Sequence, residues 1–202
     1  MTTFYLIRHA EKDADDQLLV GRTPGISLSA RGRVQAGRLA RRLRRERLGA
    51  IYSSPVQRAR ETAEFLAQES GRPVCLSEAI AEIDVGAWTG RLFGELATEA
   101  RWRRFNHFRS GTQPPGGEAM HDVQARMVGE LLRLRSAHPG DRVALVSHGD
   151  PIRVAVAYFL GLPADFYSRF EIALASITVL ELDDDGARLV RLNETVPDET
   201  GA

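Results

Sequence analysis

The apolar positions of this chain fall into short unbroken runs, separated by polar turns and by longer stretches with helical spacing. Residues 4–7 form a run the size of a buried strand that stops abruptly at Arg8-His9, and residues 142–147 form another that stops at His148-Gly149. Residues 48–52 and 74–76 predict two more strands. Val34, Leu39 and Leu43, with the alanines between them, predict the apolar stripe of a helix capped by Ser29 and running to about residue 47. Ser54 as N-cap and Pro55 in the first turn predict a second helix, which turns Ala59, Ala63, Phe65 and Leu66 inward and ends at Gly71. Met120, Val123, Met127, Leu131 and Leu134 keep helical spacing through residues 118–135, and residues 150–160 predict a helix behind His148. Residues 172–182 and 187–192 alternate like strands around the turn signal at 183–186, and the polar stretch 194–202 is expected to fray.

Several polar residues sit where this pattern leaves them little reason to be structural. Open α/β sheets keep their ligand crevice at the carboxyl ends of strands, which is where Arg8, His9, His148 and Gly149 fall. Arg58 lies in the first turn of the second helix, beside unpaired N–H groups suited to an anion. Glu82 is flanked by Ile80, Ala81 and Ile83; a carboxyl desolvated in this way favours its protonated form, as a general acid requires. Residues 91–117 read as a lid-like insertion, with Trp102, Phe105 and Phe108 interleaved among Arg101, Arg103, Arg104 and Arg109 before a Pro-Pro-Gly-Gly break. The arginines crowding residues 31–47 read as a solvated helix face.

Composition narrows the function. A chain of 202 residues without an internal shift in character supports one buried core, and residues 1–193 are expected to form a single domain. Basic and acidic side chains balance at 27 each, so no global field draws the protein to nucleic acid or to a membrane surface, and any anion site must be local. The single cysteine, Cys75, cannot form an internal disulfide, and the amino-terminal residues lack a secretory pattern, so a cytoplasmic location is expected. No apolar run approaches the ~20 residues of a membrane span. The five histidines show no paired metal-ligand spacing and no nucleotide-type glycine loop is present, so neither metal nor cofactor is expected.

In chain order the motifs are Arg8-His9, Ser53-Ser54-Pro55 with Arg58 and Glu61-Thr62-Ala63, Glu82 with Gly86 and Trp88-Thr89-Gly90, and Ser147-His148-Gly149. Together, over residues 4 to about 182, they resemble the histidine phosphatase superfamily, which includes the cofactor-dependent phosphoglycerate mutases and many small phosphatases. The resemblance implies a three-layer α/β sandwich with a mostly parallel sheet, helices on both faces and a C-terminal hairpin at the sheet edge. It also implies that His9 is phosphorylated, that Arg8, Arg58 and His148 hold the phosphoryl group, and that Glu82 protonates the leaving oxygen. The expected activity is hydrolysis of a small phosphate monoester through a phosphohistidine. The alternatives are transfer of the phosphoryl group back to bound substrate, as in a mutase, and a non-catalytic module that binds phosphate or a phosphoprotein. The chain departs from the family pattern at Ala10, where glycine is usual, and at Lys12 with Asp15-Asp16. Arg22 and Thr23 are expected to take over part of the substrate binding there, with Gly149 contributing from its helix end. The four arginines of the insertion are expected to meet a second anionic group on the substrate. Substrate identity and oligomeric state stay open.

Overall fold

The computed structural model describes residues 1–197, so residues 198–202 of the expected frayed tail lie outside the described residues. Six strands form one sheet: β1 (Thr2–Arg8), β2 (Ala50–Ser53), β3 (Val74–Leu76), β4 (Arg142–Ser147), β5 (Ile177–Leu182) and β6 (Ala187–Glu194), in the order β3-β2-β4-β1-β5-β6. The first four are parallel neighbours, and β5 and β6 are added antiparallel as the C-terminal hairpin at the edge.

The apolar runs of β1 and β4 follow from burial on both faces. Successive side chains of a strand point to opposite sides. Phe4 and Leu6 of β1, with Val143 and Leu145 of β4, enter one core, while Tyr5 and Ile7, with Ala144 and Val146, enter the other. The first core is closed by helices α5 (Met120–Ala137) and α6 (Gly149–Phe159) through Met127, Leu131, Leu134, Ile152 and Val156. The second is closed by α1 (Ala30–Leu43) and α2 (Gln57–Ser70) through Leu39, Leu43, Ala59, Ala63 and Leu66. A third core packs Ile83, Val85 and Trp88 with Leu96, Phe105, Met120, Val123 and Val154. It anchors two short helices, α3 (Phe93–Leu96) and α4 (Ala100–His107), on the carboxyl side of the sheet.

Local details correct five expectations. Val34 is 52% exposed, because the buried stripe of α1 runs through Ala36, Leu39, Ala40 and Leu43 and a residue two positions before Ala36 lies roughly 200° around the helix. The helix also ends at Leu43; a 3-10 turn follows, and Arg47 takes a left-handed φ of 51°. Ser54 does not cap α2 directly. Its backbone N–H still donates to Val146 O in the sheet, so the helix starts only at Gln57. Residues 172–176 are loop rather than strand, since Ala175 turns with φ 54° and its N–H donates to His9 O. Glu194 belongs to β6, where its carboxylate pairs with Arg42, so the edge hairpin extends further than the expected tail allows.

Candidate active site

Sheet register assembles the site. Arg8 lies opposite Ser147 and Ser53 opposite Val146, so β1, β4 and β2 end level with one another. The next residue on each is His9, His148 and Ser54. Two hydrogen bonds carry the pairing one step past the strands: His9 N–H donates to Ser147 O at 3.0 Å and Ser54 N–H to Val146 O at 2.9 Å. The imidazoles of His9 and His148 consequently stand 5.1 Å apart between ring centres. The loop after β1 is fixed from below, where Ala10 N–H donates to the Thr62 hydroxyl and that hydroxyl donates to Arg58 O. Ala10 is buried without positive φ, so the side chain is accommodated where glycine is usual in the family.

Arg58 is the hub. Its side chain is 2% exposed, and it donates from Nε to His9 Nε2 at 3.0 Å and from Nη2 to Gly21 O at 2.9 Å and His148 Nδ1 at 3.2 Å. An arginine only donates, so both accepting imidazole nitrogens carry lone pairs. His9 therefore keeps its proton on Nδ1, which donates to Ala10 O at 2.7 Å. His148 keeps its proton on Nε2, which donates to Ser54 Oγ at 2.8 Å. Burial first, and then the charge of Arg58, push both imidazoles well below their ordinary protonation range, so both are neutral. A protonated His148 is thus not the resting form.

Two guanidinium N–H groups in this cluster, Arg8 Nε and Arg58 Nη1, are buried without a hydrogen-bond partner among the described residues. Arg8 is braced from the other side by Nη1, which donates to Ile172 O at 2.6 Å. Gly149 lies against the Arg8 guanidinium, where an added Cβ would make an ordinary contact at 3.5 Å. Glu82 lies across from the histidines, with its carboxylate 3.7 Å from His148 Nδ1 and 3.9 Å from Arg58 Nη2. Neither distance is a hydrogen bond. Burial and, after it, the nearby Asp150 outweigh the attraction of Arg58 and raise this carboxyl above the usual carboxylate range. Arg22 donates to Glu82 O at 2.6 Å, and the side chain of Glu82 accepts from the N–H of Ile83, so the acid is held by its backbone as well.

These groups open on a cavity of about 450 Å³, walled by Leu18, Val85, Phe93, Trp102, Phe105 and Arg109 beyond the reacting end. Of the residues expected at the site, Arg8, His9, Arg58, Glu82 and Gly149 line it, with His148 behind Arg58. Arg22 and Thr23 do not. They border a neighbouring depression, because Arg22 is engaged by Glu118 and by Glu82 O. Lys12 and Asp16 both line the cavity and pair with each other at 2.9 Å, which offsets the repulsion that the Asp16 carboxylate alone would exert on a phosphate. Among the insertion arginines only Arg109 reaches the cavity. Arg101 donates to Gln113 O and Arg103 to Ala97 O and Thr98 O, while Arg101 and Arg104 border a separate outer depression. In α4, Trp102 and Phe105 pack against Trp88, while Arg101, Arg103 and Arg104 stay exposed.

Three residues take part in the site without having been given a role there from the sequence, where Ser54 was named only as a helix cap and within the Ser53-Ser54-Pro55 motif. Ser54 is the acceptor that sets the His148 tautomer, and Asp150 and Arg153 line the cavity from the first turn of α6. The i, i+3 spacing of the last two behind Gly149 was the available signal. Among the described residues no group of three or more His, Cys, Asp or Glu side chains is gathered as a metal site would require, and no helix is long and apolar enough to cross a membrane.

Comparison with known proteins places these groups in a family setting. The sequence model of the histidine phosphatase superfamily (branch 1) matches residues 4–195. The chain is 34% identical over 200 residues to phosphoserine phosphatase 1 of Hydrogenobacter thermophilus, covering 96% of this chain and 93% of that one. It is 31% identical over 188 residues to a probable phosphoglycerate mutase of Salmonella choleraesuis, covering 91% and 86%. A phosphoserine phosphatase of Entamoeba histolytica, solved in complex with phosphoserine, superposes with a TM-score of 0.85 at 27% identity over 96% of this chain and 97% of that one.

Proposed function

The chain belongs to the histidine phosphatase superfamily, branch 1, and on that premise we propose that it hydrolyses small phosphate monoesters through a phosphohistidine formed on His9. The observation that carries the reading is a neutral imidazole with its Nε2 lone pair held beside two buried guanidinium N–H groups, those of Arg8 and Arg58, that lack acceptors. Two cations facing a carboxyl raised toward its neutral form leave a positive excess, which matches a phosphoryl dianion.

In this reading His9 Nε2 attacks phosphorus, displacing the hydrogen bond from Arg58, and the bond from phosphorus to the ester oxygen breaks. Arg8 and Arg58 take the non-bridging oxygens as charge spreads over them. Glu82 gives its proton to the departing alkoxide. Water then attacks the phosphohistidine, Glu82 accepts the proton, and phosphate leaves with the imidazole restored. His148, neutral at rest, is drawn toward protonation by the incoming dianion and then adds a charged donor. Every charge used here comes from side chains, so turnover is metal-independent in this account. Residues 91–117 act as a cover over the leaving-group side of the cavity. The lone exposed Cys75 fits a cytoplasmic enzyme, and the balanced charge fits a small-molecule substrate rather than nucleic acid.

A mutase reading draws support from the similarity to the Salmonella protein, since the same groups can return the phosphoryl to bound substrate. A panel of phosphate esters, assayed together for free phosphate and for isomerised product with and without EDTA, tests both. Release of free phosphate unaffected by EDTA is the expected result; isomerisation with little release would favour the mutase, and loss of turnover in EDTA would refute metal independence.

A further inference from the structure

Beyond Arg8, His9, Arg58 and Glu82, each charged or amide side chain that lines the cavity has a partner within the protein. Glu11 accepts from the Ser29 hydroxyl at 2.8 Å, and Lys12 pairs with Asp16 at 2.9 Å. Arg109 donates from Nη1 to Asp150 at 2.9 Å and from Nη2 to the Tyr167 hydroxyl at 2.8 Å, while Arg153 lies 3.6 Å from the other Asp150 oxygen. Asn106 donates to Trp102 O at 3.0 Å. These six ionised side chains are three basic and three acidic, so their charges cancel. A second anionic group on the substrate, as the insertion arginines led us to expect, would therefore meet no net field here and would compete with Asp150 for Arg109.

The apolar side chains at the same end are placed differently. Leu18, Leu19, Phe93, Trp102 and Leu174 all line the cavity and none is fully buried; Phe93 is 36% exposed. They are nevertheless fixed. Leu19 N–H donates to Arg91 O at 2.9 Å and Phe93 N–H to Gln17 O at 2.8 Å, which pairs the strap at 17–19 with the start of the insertion. The Trp102 ring stands 6.0 Å from that of Phe93 and 5.1 Å from that of buried Trp88. A rigid apolar wall left uncovered inside a cavity favours a hydrocarbon over water. We infer that this wall binds the carbon body of the leaving alcohol, so that the preferred substrates are phosphate monoesters of apolar alcohols several carbons long without a second charge. The inference rests on the phosphatase reading and adds the class of leaving group. Wall and reacting groups line one cavity, so an ester held by its phosphoryl group at Arg8 and Arg58 carries its alcohol into the apolar end. Phosphoserine, the ligand of the Entamoeba protein, would bring an ammonium and a carboxylate to that end instead.

The test measures kcat/KM for ethyl, butyl and hexyl phosphate, whose alcohols ionise alike, together with phosphoserine. Each added methylene should raise kcat/KM about two- to fourfold in the wild type, mainly through KM, and phosphoserine should fall below hexyl phosphate. Phe93→Ser and Leu18→Ser, both at partly exposed positions that folding tolerates, should each raise KM for hexyl phosphate severalfold more than for ethyl phosphate and so flatten the series. Arg104→Ala, on the outer side of the insertion, should leave the slope as it is. A wild-type series without slope, a slope that survives both serine variants, or phosphoserine turned over better than hexyl phosphate would overturn the inference. Turnover of none of the four esters would overturn the phosphatase reading itself, a result distinct from a flat series.

Discussion

At the scale of single residues the site works by opposite perturbations of two kinds of group. Burial and Arg58 hold His9 neutral, while burial and Asp150 raise the Glu82 carboxyl toward its protonated form, so the proposed nucleophile and the proposed acid are each shifted toward the form their roles need. Glu82→Gln should therefore slow alkyl phosphates by about a hundred- to ten-thousandfold and spare aryl phosphates with good leaving groups, which need no proton. Equal losses on both would move the acid elsewhere, with Asp84 the next carboxyl to examine. The same logic gives the pH profile. For alkyl phosphates kcat/KM should decline as pH rises through the elevated range of Glu82, and this decline should vanish for aryl phosphates. A basic limb of equal size on both substrates would mean that it reports some other group.

At the scale of elements, register does most of the positioning. The ends of β1 and β4 could be anticipated because alternate residues of each strand feed two cores, which leaves unbroken apolar runs that stop at the site. Glu82 was visible through its apolar neighbours. What escaped the sequence depends on how distant surfaces meet. Four arginines within nine residues look equivalent along the chain, and only the packing of the fold separates buried Arg109 from the three that stay exposed. The role of Ser54 was hidden in the same way, since a serine before proline reads as a helix cap until β2 is aligned with β4. The link from α2 to the nucleophile loop can be tested at Thr62. Thr62→Val keeps the shape but strands the N–H of Ala10, which should cost about 1–3 kcal/mol in denaturant unfolding. A kcat loss is expected with it, because the loop carrying His9 is released. Unchanged stability would show that Ala10 finds another acceptor.

For the molecule as a whole, the buried site leaves a mark on stability. Unfolding restores imidazoles that protonate near 6.5, whereas His9 and His148 in the fold resist protonation well below that value. Below pH ~6.5 the unfolded chain thus binds more protons, and the stability present above that pH is lost as pH falls. Glu82 acts in the opposite sense: its contribution is present below its unfolded value of 4.5 and lost as pH rises through its elevated range. Urea midpoints should drop between pH 7 and pH 5, and the drop should be smaller in His9→Asn; an identical drop in that variant would place the sensitivity outside the site. The claim on which everything else depends is chemical: the phosphoryl group passes through His9. Rapid acid-free quenching of the enzyme with a ³²P-labelled ester, followed by exposure of the trapped protein to acid and to alkali, tests it most directly. Label that is stable in alkali, lost in acid and absent from His9→Ala is the predicted result. Label on a serine, or brisk turnover by His9→Ala, would contradict it.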